Sequence, residues 1–204
     1  MPRPFRAEQH FPTPKNINSL KLKLIYWGSK IELVMKIFGP KSVSTWLSNG
    51  MAITSLLFFV FLIYILGSLA LGNYILVSGI FHIQIPLTSS EVQGELTFKV
   101  ITTIIFTLLY YMVFLFLVSR ILKGLEMPSP FNKKTIKNLR YFMLMNLLVF
   151  PLGFAGLNFI FSKTHGLNYI PQLLLHLLLG LFSFFLIELF KRGFTLQSDH
   201  DLTI

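Results

Sequence analysis

Hydrophobic positions along the chain gather into long unbroken runs. Four are long enough to cross a bilayer: Met51–Val77, 27 residues without a charge; Val100–Ser119, bracketed by Lys99 and Arg120; Tyr141–Phe161; and Leu167–Phe190, with Glu188 near its end. About 20 apolar residues in a helix cover roughly 30 Å of hydrocarbon. A backbone in lipid must satisfy its own polar groups, and the period-2 alternation of an outer-membrane barrel is absent, so the four runs predict four helices. Ahead of them, Leu20, Leu24, Trp27, Ile31, Val34 and Phe38 recur at helical spacing, and Gly39-Pro40 ends the stripe. With Trp27 and flanking lysines, this element is expected to lie in the headgroup layer. The predicted fold is therefore all-α: an integral membrane four-helix bundle with an N-terminal amphipathic interfacial helix.

This pattern divides the chain into a flexible arm (1–19, with four prolines), an amphipathic juxtamembrane segment (20–50), the four-span domain (51–192) and a C-terminal tail (193–204). Gly193 is placed to stop the fourth helix, and Glu188 to pair with Arg192 one turn on. In the segment joining spans two and three, Pro128 and Pro130 break the chain. Asn132 can cap a new helix whose apolar face is Ile136, Leu139 and Met143. Between spans one and two, residues 78–99 form a loop expected to fold over the bundle. In it "FHIQI" alternates like a strand, and Thr88-x-x-Glu91 resembles a capping box opening the next helix. The joint between spans three and four is very short, which predicts antiparallel neighbours.

Composition agrees: 53% of residues are hydrophobic and 13% charged, with mean hydropathy +0.66, against about 25% charged in soluble domains. The net charge of +10 would suggest nucleic acid in a soluble protein, but its distribution assigns it elsewhere. Eight of the 18 Lys and Arg precede span one, six lie between spans two and three, and two follow span four; only Lys99 and Lys163 fall in the other loops. By the positive-inside rule the basic segments and both termini are expected in the cytoplasm, the absence of cysteine fits a bacterial inner membrane, and no direct nucleic-acid binding is expected. Lys133, Lys134, Lys137 and Arg140 form a basic elbow that can reach lipid phosphates, each contributing about 1 kcal/mol near an anionic surface.

Candidate chemistry is sparse. Gln172, His176 and Ser183 share one face of span four, an intramembrane polar stripe expected to turn inward. The ordinary reading of His176 is a neutral imidazole hydrogen-bonded to neighbouring helices; a proton relay is the sharper one, and no partner carboxylate is evident. Span three adds Asn146, Asn158, Pro151, Gly153 and Gly156, the composition of a kinked, closely packed helix or of a cavity wall. Asp199-His200-Asp201 has metal-ligand residue types without a coordination geometry, and cysteine is absent. No phosphate-binding glycine loop, HExxH or nucleophile elbow occurs. No catalytic, cofactor or metal site is predicted, and the chain is not expected to be an enzyme.

The strings "PFNKKTIKNLRYF" and "IELFKRGFTLQSDHDLTI" resemble the YoaS-like bacterial four-span membrane proteins, a family of unknown function (domain of unknown function 2975). The resemblance rests on Pro130 and Phe131, on Glu188, Phe190, Arg192 and Gly193, and on Leu196, Gln197, Asp201, Leu202, Thr203 and Ile204. It is specific over 130–204 and architectural over 51–129. Thr195 and Ser198 stand where the family tends to be acidic. Members resemble neighbours of small helix-turn-helix regulators on the chromosome, which implies a membrane partner of a transcription factor. The expected function is thus a regulatory or interaction component whose tail, Arg192 to Ile204, docks a cytoplasmic regulatory protein. A small transporter or permease subunit is the alternative. Membrane lipids and further copies of the chain are the other partners the sequence allows.

Overall fold

The computed structural model of the chain describes residues 42–127, 129–161 and 170–201. The expected arm, the stripe from Leu20 to Phe38, the short joint between spans three and four, and Leu202, Thr203 and Ile204 all lie outside them. The described elements run α1 (Val43–Leu71), β1 (Ile75–Val77), β2 (Ile80–Gln84), β3 (Glu91–Glu95), α2 (Phe98–Leu125), α3 (Lys133–Leu144), a π turn (Met145–Val149), α4 (Phe150–Phe161) and α5 (Ile170–Asp201). With α3, the π turn and α4 forming one continuous rod, four helical rods are long and apolar enough to span a membrane.

Burial is inverted relative to a protein dissolved in water. Among the described residues ten polar ones are buried, including Ser48, Ser55, Thr135, Asn146, His176 and Ser183, while Leu56, Val60, Leu178, Phe182 and Phe185 lie exposed on the helix surfaces. Lipid is the solvent that makes this arrangement favourable, because hydrocarbon accepts the apolar side chains and leaves polar groups to find one another.

Serine joins α1 to α2. The hydroxyls of Ser44, Ser48 and Ser55 donate to the backbone carbonyls of Leu122, Ser119 and Met112 at 3.1, 3.1 and 2.8 Å. Partner numbers fall as serine numbers rise, so the two helices are antiparallel. These serines also explain why α1 begins at Val43, eight residues before the expected span. Their polarity marks residues 43–50 as juxtamembrane in the sequence, yet in the fold it is turned into α2.

The far end of α1 also differs from expectation. Gly72 takes the left-handed conformation (φ 74°) and its N–H reaches the Ser68 carbonyl, stopping the helix at Leu71. Ile75–Val77, the apolar tail of the expected span, instead forms β1. A two-residue turn at Ser78-Gly79, both at positive φ, leads into β2, and β3 completes an antiparallel sheet in the order β1-β2-β3. Glu91 opens β3, so the expected Thr88–Glu91 capping box does not start a helix. Thr97 caps α2 instead, its Oγ1 accepting from the Val100 N–H. The loop does fold over the bundle: Phe81 and Ile83 are buried against Ile65, and the Tyr64 hydroxyl donates to the Gln84 carbonyl at 2.6 Å.

The remaining rods pack in sequence. Asn132 caps α3 as expected, accepting from the Thr135 N–H at 2.8 Å. Asn146 meets His176, Leu139 lies in one cluster with Ile187, and Phe131 stacks edge-on to Phe190 at 5.2 Å, which makes the third rod antiparallel to α5. Contacts therefore gather the start of α1, the end of α2, the start of α3 and the end of α5 at one end of the molecule, which we call the basic end. Arg120, Lys123, Lys133, Lys134, Lys137, Arg140, Lys191 and Arg192 all belong to it. The sheet covers the opposite end.

Candidate functional site

Pro151 shapes the middle of the third rod. It has no N–H and its ring would collide with a carbonyl one turn back, so a regular α-helical ladder cannot pass through it. The chain responds with the π turn at Met145–Val149, closed by the Phe150 N–H donating to the Met145 carbonyl. The extra residue rotates the preceding helix relative to α4 and places Asn146 in the bundle interior, 0% exposed.

Three side chains from three rods converge there. Asn146 Oδ1 lies 2.7 Å from His176 Nδ1 and 3.2 Å from the Tyr110 hydroxyl, and that hydroxyl lies 2.9 Å from the same imidazole nitrogen. Asn146 Nδ2 donates to the Phe142 carbonyl at 2.8 Å, which fixes its oxygen as the atom facing the ring. Two bare lone pairs cannot sit 2.7 Å apart, so Nδ1 of His176 carries a proton and donates to Asn146. The Tyr110 hydroxyl donates to the same oxygen, and none of the described hydrogen bonds of His176 uses Nε2. Aromatic rings fill the space around the imidazole: Phe150 at 3.8 Å between centroids, Tyr110 at 5.1 Å, Phe114 at 6.1 Å and Tyr111 at 6.4 Å. The assembly is an interhelical lock: its hydrogen bonds join α2, the third rod and α5, and the rings hold the polar atoms in place.

Of the expected stripe, His176 and Ser183 are buried and Gln172 is exposed, so the stripe does not turn inward along its whole length. Ser183 donates to the Leu179 carbonyl of its own helix rather than to a neighbour. Asn146 was legible as a polar residue in an apolar run, but its pairing with His176 was not. Tyr110 was overlooked, although a mid-span tyrosine hydroxyl calls for a hydrogen-bond partner. Asn158 and the His200 and Asp201 side chains lie outside the described ones, and among the described residues no group of metal-ligating side chains converges.

At the basic end the elbow residues Lys133, Lys134, Lys137 and Arg140 are all exposed. Lys133 and Lys137 lie over the Phe194 and Tyr141 rings. Glu188 pairs with Lys191 at 2.6 Å, not with Arg192, because the shorter i,i+3 reach brings the ammonium to it. Gly193 does not stop α5, which runs on to Asp201. A Cβ at Gly193 would lie 2.7 Å from the Phe131 ring, so glycine serves there as a contact surface rather than a terminator. One turn further, the Ser129 hydroxyl donates to Gln197 Oε1 at 3.0 Å. Arg192 and Leu196 are exposed, Leu196 at 71%. The expected tail is thus helical as far as Asp201.

Comparison with curated proteins finds no match, and comparison with solved structures finds none. Residues 48–204 match the family model described as "Protein of unknown function (DUF2975)", covering all four rods, the sheet and the C-terminal segment. This extends the likeness beyond 130–204, where the sequence motifs lie, and leaves out the arm and the stripe before them. With most of its length matched, the chain belongs to the DUF2975 family of proteins of unknown function.

Proposed function

We propose that this membrane protein is a non-enzymatic regulatory component of the bacterial inner membrane, with both termini in the cytoplasm, whose basic end docks a cytoplasmic protein. The observation that carries this reading is the continuation of α5 through Gly193 to Asp201, braced by Phe131 and by the Ser129–Gln197 hydrogen bond, with Leu196 exposed. A segment meant only to leave the membrane has no need of such bracing, whereas a docking helix gains affinity from being ordered before the partner arrives. The uneven charge supports the orientation, since the basic end carries nearly all the described cations. A helix-turn-helix regulator is the partner class the family resemblance favours. The alternative of a transporter draws support from the π turn and the buried His176, but permeation past that depth would require four packed rings to move.

The test is site-specific photocrosslinking in cells. A photoreactive residue at Leu196 is expected to yield one discrete protein adduct, identified by mass spectrometry, that disappears on Gly193→Leu. The same residue at Leu181, exposed in mid-span, is expected to yield none. No adduct at Leu196, or the same adduct at both positions, would overturn the reading.

A further inference from the structure

We propose that the cleft between the last turns of α2 and the first turn of α3 is a one-to-one binding site for a phosphate ester whose headgroup carries a hydroxyl or ammonium donor. The cleft offers about 340 Å³ and is lined by Arg120, Lys123, Gly124, Glu126, Lys134 and Asn138. That volume lies at the small end of ligand pockets, about 300–1,000 Å³, and suits a headgroup rather than an extended molecule.

The lining charges are not matched to one another. Neither ion pair among the described residues, His82–Glu91 or Glu188–Lys191, involves Arg120, Lys123 or Lys134. Glu126 shares the cleft with these cations, yet its Oε1 is buried and has no hydrogen-bond partner. A buried carboxylate oxygen needs a donor, and three exposed cations around one small space attract an anion. A phosphate ester bearing its own donor suits both: phosphate on the cations, with Arg120 able to bind two of its oxygens, and hydroxyl or ammonium on the Glu126 carboxylate, which turns about its last bond to bring the shielded oxygen into the cleft. Asn138 Nδ2 is directed to the Arg120 carbonyl at 3.5 Å, and the Arg120 guanidinium lies over the Phe116 ring at 5.3 Å, so that strand of the lining is already ordered.

Of the elbow only Lys134 lines the cleft; Lys133, Lys137 and Arg140 lie outside it and attract any anionic surface without selecting a headgroup. The cleft also differs from the docking reading, since neither Leu196 nor Gln197 contributes to it. Exposed Met127 in its lining, and exposed Phe116 beneath the Arg120 guanidinium, favour a phospholipid over a soluble ester.

The experiment is native mass spectrometry of the full chain in mild detergent, titrated separately with phosphatidylglycerol, phosphatidylethanolamine and phosphatidylcholine. The first two offer a donor beside the phosphate and the third does not. Wild type is expected to retain one molecule of either donor-bearing lipid about tenfold more tightly than phosphatidylcholine. Arg120→Gln with Lys123→Gln is expected to lower phosphatidylglycerol retention about tenfold, and Glu126→Leu to abolish the preference over phosphatidylcholine. Lys137→Gln with Arg140→Gln, outside the cleft, is expected to leave retention within about twofold. Should the double variant fail to fold, Lys134→Gln, at an exposed position, gives the same test with a smaller loss. Competition by free glycerol 3-phosphate at this site would identify a soluble ester as the source, and lack of competition a lipid. Equal retention of all three lipids, or retention unchanged by the cleft substitutions, would overturn the proposal.

Discussion

The Asn146 carboxamide accepts from both Tyr110 and His176, while the Tyr110 hydroxyl also lies within reach of the imidazole, so either donor can be lost with one contact kept. Single substitutions should therefore be mild. Tyr110→Phe or His176→Phe is expected to cost about 0.6 kcal/mol, the average for interhelical hydrogen bonds in membranes. The pair together leaves Asn146 Oδ1 with no donor in a dry interior and is expected to exceed the sum of the singles by about 1 kcal/mol. A double-mutant cycle of unfolding in detergent measures this; strict additivity would mean that the three groups do not act as a unit. Each residue was visible in the sequence only as far as its own polarity showed. His176 and Asn146 interrupt apolar runs, but their meeting depends on a rotation introduced by Pro151, which no single span's periodicity contains. Ser44 and Ser48 misled in the opposite way, since polar side chains that face a neighbouring helix look in sequence like the edge of a membrane span.

Among the described rods, α1 packs chiefly on α2, along a line of serines. Ser48 is buried against Ser119, their hydroxyls 3.4 Å apart. Ser48→Ala removes one hydrogen bond and is expected to cost under about 1 kcal/mol. Ser48→Leu must push α1 off α2 and is expected to cost about 1–3 kcal/mol. Thermal unfolding in detergent separates the two, and equal costs would mean that the helices are not in close contact at this depth. At the other end of the chain, Gly193→Leu collides with Phe131 and is expected to raise hydrogen exchange over residues 194–201 while leaving 174–187 protected. Unchanged exchange over 194–201 would remove the brace on which the docking helix relies. The four runs announced the four rods because hydrocarbon thickness fixes their length. Their ends were less legible. A span can stop inside an apolar run, as at Gly72, where Ile75–Val77 passes into a three-residue strand too short for periodicity to separate from the span. A span can also continue past a glycine, as at Gly193, when a ring fills the place of the missing side chain.

At the scale of the whole molecule, charge and fold divide the protein into two unlike ends. One carries the sheet, with Glu91 and Glu95; the other carries the cations, the Arg120–Lys134 cleft and the extension of α5. The docking reading of the basic end requires that it face the cytoplasm. The sequence contains no cysteine, so a single introduced thiol reports its own position without background. The most direct measurement is labelling of Leu196→Cys and Leu87→Cys, both exposed positions, with a membrane-impermeant maleimide in spheroplasts before and after permeabilisation. The account predicts that Leu87→Cys reacts at once and Leu196→Cys only after permeabilisation. Reaction of Leu196→Cys in intact spheroplasts would contradict it.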